Sequence, residues 1–209
     1  MKSYYIHFIR HGSINQTLQG RYIGVTDVPL SDKGKNDLRR YDATYAYPYA
    51  KVVFTSPLKR CTQTARILYP DIEPLVIDQL SECHFGEWEN KSAAELQNDE
   101  LFKKWLAGEP GAKPPRGESN AEFTRRICLM FENIVDGLIK TGTTDAVIIT
   151  HGGVMTTLLS VYGIPQAKPF DWVCDNGFGY SLRITPMLWA RDKVAEVFDR
   201  IPKEKDTDD

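Results

Sequence analysis

The chain has 209 residues, 42 % of them apolar and 26 % charged, and 26 Lys and Arg stand against 28 Asp and Glu for a formal charge of −2. That length fits one globular domain with a real core, and the composition excludes wholesale disorder. The near-neutral balance excludes the general basic footprint of a nucleic-acid binder, and no apolar run approaches the roughly 20 residues that span a bilayer.

In chain order, the apolar segment 4–9 reads as a strand that ends at Arg10-His11-Gly12. No small-residue cleavage site follows Met1-Lys2-Ser3, so no signal peptide is expected and cytoplasm is the expected compartment. Ser31 is placed to cap a helix carrying Leu38, Tyr41 and Tyr45 on one side. Residues 51–55 read as a second strand, and Ser56-Pro57 as the cap and first turn of a helix running to Leu68. A weaker strand pattern covers 75–77. Residues 78–117 are richer in charge, Gly and Pro and read as a small insertion able to overhang the sheet edge. Ser92-x-x-Glu95 and Ser119-x-x-Glu122 both fit capping boxes. After the second, Phe123, Ile127, Met130, Phe131, Ile134, Val135 and Leu138 follow the three-and-four spacing of a long amphipathic helix. A strand over 146–150 leads into Gly152-Gly153, which opens a helix through Val161; 179–184 reads as a weaker strand. The polar stretch 203–209 reads as a frayed tail behind a single domain of residues 1–202. Strands alternating with helices predict an α/β fold, a mostly parallel sheet covered on both faces. Cys61, Cys83, Cys128 and Cys174 are scattered, without a Cys-x-x-Cys pair, and read as free thiols.

Ligands of such sheets gather beyond the carboxyl ends of the strands. Four stretches place chemistry there: Ile9-Arg10-His11-Gly12, Thr55-Ser56-Pro57-Leu58-Lys59-Arg60-Cys61-Thr62-Gln63-Thr64-Ala65, Leu80-Ser81-Glu82-Cys83-His84-Phe85-Gly86-Glu87-Trp88-Glu89, and Thr150-His151-Gly152-Gly153. Their residue types predict a phosphate site. Arg10 and Arg60 each offer a planar fork of donors to phosphate oxygens. His11 can attack phosphorus through a neutral ring nitrogen. The amides after Gly12 or Gly152 can add donors, and a protonated His151 would add charge. Glu82 can donate a proton to a leaving oxygen if burial raises its pKa.

The remaining polar residues have plainer readings. His7 is read as structural, His84 equally as a support of the site or as packing, and Glu89, Arg125 and Arg126 as solvated charges. A dinucleotide site would need G-x-G-x-x-G after the first strand, where Arg-His-Gly-Ser-Ile-Asn stands instead. A metal held by His11, His151 and Glu82 is disfavoured because two arginines at the same place repel a cation. Neither metal nor cofactor is expected, nor a nucleic-acid or membrane partner. The expected partner is a small phosphorylated substrate, and oligomeric state is not readable.

The four blocks, in this order, resemble the histidine phosphatase superfamily, the phosphoglycerate mutase-like fold, over residues 5–184. The resemblance implies a three-layer α/β/α sandwich. It implies His11 as phosphorylated nucleophile, Arg10, Arg60 and His151 as the phosphate pocket, and Glu82 as proton donor. Thr17, Arg21 and Gly152 join Arg10, Arg60 and His151 as implied substrate-binding positions. Ile14 and Thr17 depart from the family, where many relatives carry Thr or Ser and Asn. The mutases carry Arg after the Glu of the third block, where this chain has Cys83. The Phe85-Gly86-Glu87-Trp88-Glu89 run resembles the phosphatase branch, in particular α-ribazole-5′-phosphate phosphatases. The expected activity is that of a metal-independent phosphomonoesterase. A mutase and a phosphate-binding module without turnover are the rival readings.

Overall fold

The apolar alternation of the central strands places one set of side chains on each face of a single sheet. In the computed structural model, which describes residues 2–205, the strands and helices run β1 (Tyr4–Arg10), α1 (Asp32–Thr44), β2 (Tyr45–Ala46), β3 (Val52–Thr55), α2 (Lys59–Leu68), β4 (Leu75–Val76), α3 (Ala93–Leu96), α4 (Glu100–Leu106) and α5 (Asn120–Thr141). They continue with β5 (Asp145–Thr150), α6 (Gly152–Tyr162), β6 (Gly163–Ile164), β7 (Gly179–Ile184), α7 (Pro186–Asp192), β8 (Ala195–Ile201) and β9 (Lys203–Glu204).

Seven strands form one sheet in the order β4-β3-β5-β1-β7-β8-β6. The pairs β3–β4, β3–β5, β1–β5 and β6–β8 are parallel, whereas β7 runs antiparallel to both β1 and β8. On one face Ile6, Phe8, Ala146, Ile148 and Leu182 pack under Ile127, Phe131 and Val135 of α5 and Met155 and Leu158 of α6. On the other, Ile9, Val53, Val147 and Ile149 meet Leu38 of α1 and Cys61, Ala65 and Leu68 of α2. The result is the expected three-layer α/β/α sandwich. No helix among the described residues is long and apolar enough to cross a membrane.

The helix starts follow local chemistry. Ser31 accepts from the Gly34 amide at the start of α1, and both capping boxes form, at Ser92–Glu95 and Ser119–Glu122. The start of α2 differs from the sequence reading. The helix begins at Lys59 behind Leu58, whose own side chain cannot cap it; the Lys59 amide donates to Asp27 Oδ1 at 2.7 Å, and the Ser56 hydroxyl meets the Leu58 amide at 3.4 Å and His151 Nε2 at 2.8 Å.

The segment 78–117 folds over the edge with its own small core. Trp88, Leu96 and Phe102 are buried there against Tyr22, Phe85 and Trp105. The expected tail begins as structure: Lys203 and Glu204 pair with Ala46 and Tyr45, and Lys205 Nζ donates to the carbonyls of Asp42 and Ala43. The rest of that tail, 206–209, lies outside the described residues. Two elements near the carboxyl terminus, α7 and β8, were not expected. In β8 only Ala195 and Ile201 are fully buried, so its strand pattern is weak in the sequence.

Candidate active site

Strand register builds the site. Arg10 pairs with Thr150, and Thr55 with Ile149. The residues that follow, His11, His151 and Ser56, therefore leave three parallel strands at one edge. The His11 amide donates to Thr150 O at 2.9 Å and the Ser56 amide to Ile149 O at 3.1 Å. The His11 and His151 rings lie 5.3 Å apart between centroids, at 63°.

His11 is 8 % exposed. Its Nδ1 lies 2.7 Å from the Gly12 carbonyl, and a carbonyl only accepts, so Nδ1 carries the proton and Nε2 the lone pair. Burial, with the Arg60 guanidinium next, lowers its pKa to about 3 against the pull of the Gly12 carbonyl. A neutral imidazole with one tautomer fixed by backbone presents Nε2 as a nucleophile. Asn176 Nδ2 holds the His11 carbonyl from behind at 2.8 Å. The Gly12 amide donates to Thr64 Oγ1 at 2.9 Å.

Arg60, 1 % exposed, is not a solvated helix residue. Its Nε donates to His151 Nδ1 at 3.2 Å, Nη1 to Thr26 O at 2.9 Å and Nη2 to Gly24 O at 2.7 Å. Two of its five N–H groups remain for a ligand. Since His151 Nδ1 accepts, its proton sits on Nε2, which donates to Ser56 Oγ at 2.8 Å. Burial, then the charge of Arg60, drives the His151 pKa well below its ordinary value. The protonated His151 of the sequence reading is thus replaced by a neutral one that orients Arg60.

Arg10 is tied by Nη1 to the Cys174 carbonyl at 2.7 Å. Its Nε is buried and has no partner among the described residues. That edge of the guanidinium faces the start of α6: a side chain begun at Gly152 would lie 3.5 Å from Nε and 3.9 Å from Nη2. The helix N-terminus and the guanidinium thus favour negative charge at one place.

Glu82 faces the same helix start. Oε1 accepts from the Cys83 amide at 3.0 Å and Oε2 from the Gly153 amide at 2.9 Å. Burial raises its pKa and outweighs those two amides and the charges of Arg60 and Arg10, which lower it. The strap that carries Glu82 is held by Arg126 of α5, whose nitrogens donate to the carbonyls of Gln79 (2.8 Å), Ser81 (3.0 Å) and Glu82 (3.3 Å). Arg126 also pairs with Glu118 at 2.7 Å. It is a structural tie and not the solvated charge of the sequence reading. Glu89 departs from that reading in the same way, with its carboxylate turned onto the loop of residues 24–26. Arg125 is exposed, as read.

The other singled-out residues divide. His7 is buried on Ser181, with Nδ1 2.7 Å from Oγ. His84 Nδ1 accepts from the Gly86 amide at 3.0 Å and shapes that turn. Thr17 sits exposed in a short helical turn at Gln16–Leu18. Arg21 is directed to Glu95 at 2.8 Å and to the Asn90 carbonyl. Neither Thr17 nor Arg21 makes a hydrogen bond to the cluster around His11. Roles that the sequence reading did not assign are those of Ser56 as partner of His151, Thr64 as partner of the Gly12 amide, Gly153 as a contact of Glu82, and Glu89 as acceptor of the loop amides. Among the described residues no group of three or more His, Cys, Asp or Glu side chains is placed to hold a metal ion.

A polar cavity of about 410 Å³ opens beside the Glu82 strap, lined by Val25, Asp78, Ser81, His84, Arg116, Gly117, Glu118 and Arg126. A second cavity of about 430 Å³ lies between β3, β4 and α5 and shares no lining residue with the site.

A three-layer sandwich with a neutral histidine, two arginines and a buried carboxylate at one sheet edge defines the class as that of histidine-type phosphoryl-transfer proteins. The chain belongs to the histidine phosphatase superfamily, branch 1, whose family model matches residues 6–196. It is 33 % identical to 2,3-bisphosphoglycerate-dependent phosphoglycerate mutase 2 of Gloeobacter violaceus, over 72 % of each chain. It is 27 % identical to the adenosylcobalamin/α-ribazole phosphatase of Salmonella typhimurium, over 81 % of this chain and 85 % of that one. The crystal structure of the α-ribazole phosphatase from Shigella flexneri superposes with a TM-score of 0.77 at 24 % identity, over 93 % and 94 % of the two chains. That likeness confirms the fold.

Proposed function

We propose that this chain is a phosphomonoesterase that hydrolyses a small phosphorylated metabolite through a phosphohistidine at His11, with α-ribazole 5′-phosphate the first candidate substrate. One observation carries the reading. His11 Nδ1 is fixed on the Gly12 carbonyl, so the lone pair is at Nε2, beside an arginine whose buried Nε has no partner among the described residues. A buried donor without an acceptor is costly, and a phosphate oxygen supplies one.

The chemistry follows from the geometry. The Nε2 lone pair forms the N–P bond as the P–O bond to the leaving group breaks. Glu82, whose pKa is raised by burial, gives its proton to the departing oxygen. Arg10, the two remaining N–H groups of Arg60 and the first amide of α6 stabilise charge on the transferring oxygens. The Glu82 carboxylate then takes a proton from water, whose oxygen forms the new P–O bond while P–N breaks. Inorganic phosphate leaves and His11 returns neutral.

The mutase reading is supported by the Gloeobacter relative. Against it, the residue after Glu82 is Cys83, uncharged and buried. The cations around the neighbouring cavity are already paired, Arg116 with Glu87 and Arg126 with Glu118, and Arg21 is paired with Glu95. Among the described residues a second anionic group on the substrate meets no uncommitted cation there, which favours a monophosphate with a neutral leaving group.

A hydrolysis panel of sugar, nucleotide and ribazole phosphates, with 3-phosphoglycerate and a His11→Ala control, tests the proposal. Phosphate release that His11→Ala abolishes is the expected result. Exchange of phosphate between positions of phosphoglycerate would establish the mutase, and binding without release across the panel would establish a phosphate-binding module.

A further inference from the structure

Glu89 ends the short turn Gly86–Trp88 and stands far in sequence from every residue of the phosphate cluster except Glu82. Its carboxylate nevertheless accepts five hydrogen bonds. Oε1 takes the amides of Val25 and Phe85, each at 3.0 Å. Oε2 takes the amides of Gly24 at 3.1 Å and Thr26 at 3.2 Å, and the Thr26 hydroxyl. Three consecutive amides turned onto one carboxylate make a concave anion cradle. The carbonyls of this same loop, Gly24 O and Thr26 O, hold the two terminal nitrogens of Arg60. Gly24 must be glycine for the cradle to close: a Cβ there would lie 1.9 Å from the Cys83 carbonyl and 2.5 Å from Glu89 Oε1.

A chain of contacts therefore runs from Glu89 through loop 24–26 to Arg60, from Arg60 Nε to His151, and from His151 to Ser56. We infer that Glu89 is a positioning residue for phosphoryl transfer: it fixes the loop that aims the Arg60 guanidinium and, through Arg60, the His151 ring. This rests on Arg60 being a phosphate ligand, as proposed above. The insertion's first turn is then part of the phosphate machinery and not only a cover over it.

Glu89→Gln replaces one accepting oxygen by an NH₂ that faces amide donors, so at least one donor of the cradle loses its partner. kcat/KM should fall about 10- to 100-fold, the range that corresponds to a buried donor left unpaired. A double-mutant cycle with Arg60→Lys separates positioning from general support. If Glu89 acts through Arg60, Glu89→Gln costs less than about twofold in the Arg60→Lys background. Costs that multiply in full would overturn the inference.

A second readout does not need turnover. In ¹⁵N-labelled protein the Arg60 Nε–H and the His151 ring nitrogens should shift in Glu89→Gln, and by a smaller amount in Thr26→Val, which removes the hydroxyl bond to Glu89 and a long 3.5 Å contact from Asn90 Nδ2 and leaves the four amides on Glu89 in place. Should Glu89→Gln fail to fold, Thr26→Val carries the test. Unmoved signals in a folded variant would overturn the inference. Moved signals in a protein that releases phosphate from no ester would leave the linkage standing and defeat the phosphatase reading.

Discussion

Gly153, the second residue of α6, touches the proposed proton donor directly. The three heavy atoms nearest to where its side chain would begin all belong to the Glu82 carboxyl group: Oε1 at 2.5 Å, Cδ at 3.0 Å and Oε2 at 3.1 Å. Gly153→Ala must therefore push that carboxyl aside by roughly 1 Å to reach ordinary contact distance. The displaced group is the end of a flexible side chain, and the backbone at 153 is helical, where Ala is favoured over Gly by about 1 kcal/mol. The fold should survive, with a melting temperature within about 4 °C of wild type. Catalysis should not. A misplacement of about 1 Å costs on the order of 100-fold, but only where the leaving group needs a proton. We expect kcat/KM for an alkyl phosphate to fall about 100-fold. For p-nitrophenyl phosphate, whose phenolate departs without protonation, the expected loss is less than about fivefold. Because kcat/KM ends at the first irreversible step, the later use of Glu82 as base does not enter. Equal losses on both substrates, or no loss on the alkyl ester, would refute the reasoning.

Three further outcomes follow from the same contacts. His7 and His11 are held neutral, with pKa values lowered by burial to about 4 and about 3, so between pH 6.5 and 4 the unfolded chain binds more protons and stability falls on acidification; for His7 alone the loss is about 3 kcal/mol. Glu82, raised, contributes in the opposite direction. Urea unfolding at stepped pH checks this, with His7→Gln expected to flatten the curve, and a wild-type curve flat from pH 7 to 4 would contradict it. Glu82 is active as the protonated acid, so kcat/KM on an alkyl phosphate should decline as pH rises through its raised pKa, and Glu82→Gln should lose that limb while keeping the limb due to substrate ionisation; an unaltered profile in the variant would remove Glu82 from the role. Arg126→Met frees the carbonyls of Gln79, Ser81 and Glu82 and leaves Glu118 with the His84 amide but no cation; we expect about 2 kcal/mol of destabilisation in urea and a larger loss of kcat/KM on alkyl than on aryl phosphates, and an equal loss on both would reduce Arg126 to a support of the fold.

The strand ends were legible because two signals coincided. Apolar runs such as Ala146, Val147, Ile148 and Ile149 mark buried parallel strands, and each such run ended in a residue type suited to phosphate. Capping chemistry was legible too, because its partners lie three residues apart, as at Ser119 and Glu122. Ser56 shows where such local reasoning fails. It has a cap's sequence context, but its hydroxyl is shared between the Leu58 amide and His151, 95 residues away, and the helix begins behind Leu58. Glu89 and Arg126 were unreadable for the same reason: most of their partners are backbone groups 63 to 65 and 44 to 47 residues distant, and a backbone amide or carbonyl has no sequence signature. His151 could be found as a residue but not its protonation state, which is decided by burial and by Arg60. The strand β9 depends on the short edge Tyr45–Ala46 being available to pair, which composition does not reveal.

The central claim is a covalent bond between phosphorus and one ring nitrogen. Wild-type protein mixed with a substrate ester, quenched in alkali within the first turnover and examined by ³¹P and ¹⁵N NMR and by peptide mass spectrometry, reads that bond directly. The account predicts phosphate on Nε2 of His11, formed and lost at rates consistent with turnover and absent from His11→Ala. Phosphate on Nδ1 or on another residue, or a His11→Ala variant that hydrolyses the ester at the wild-type rate, would contradict it.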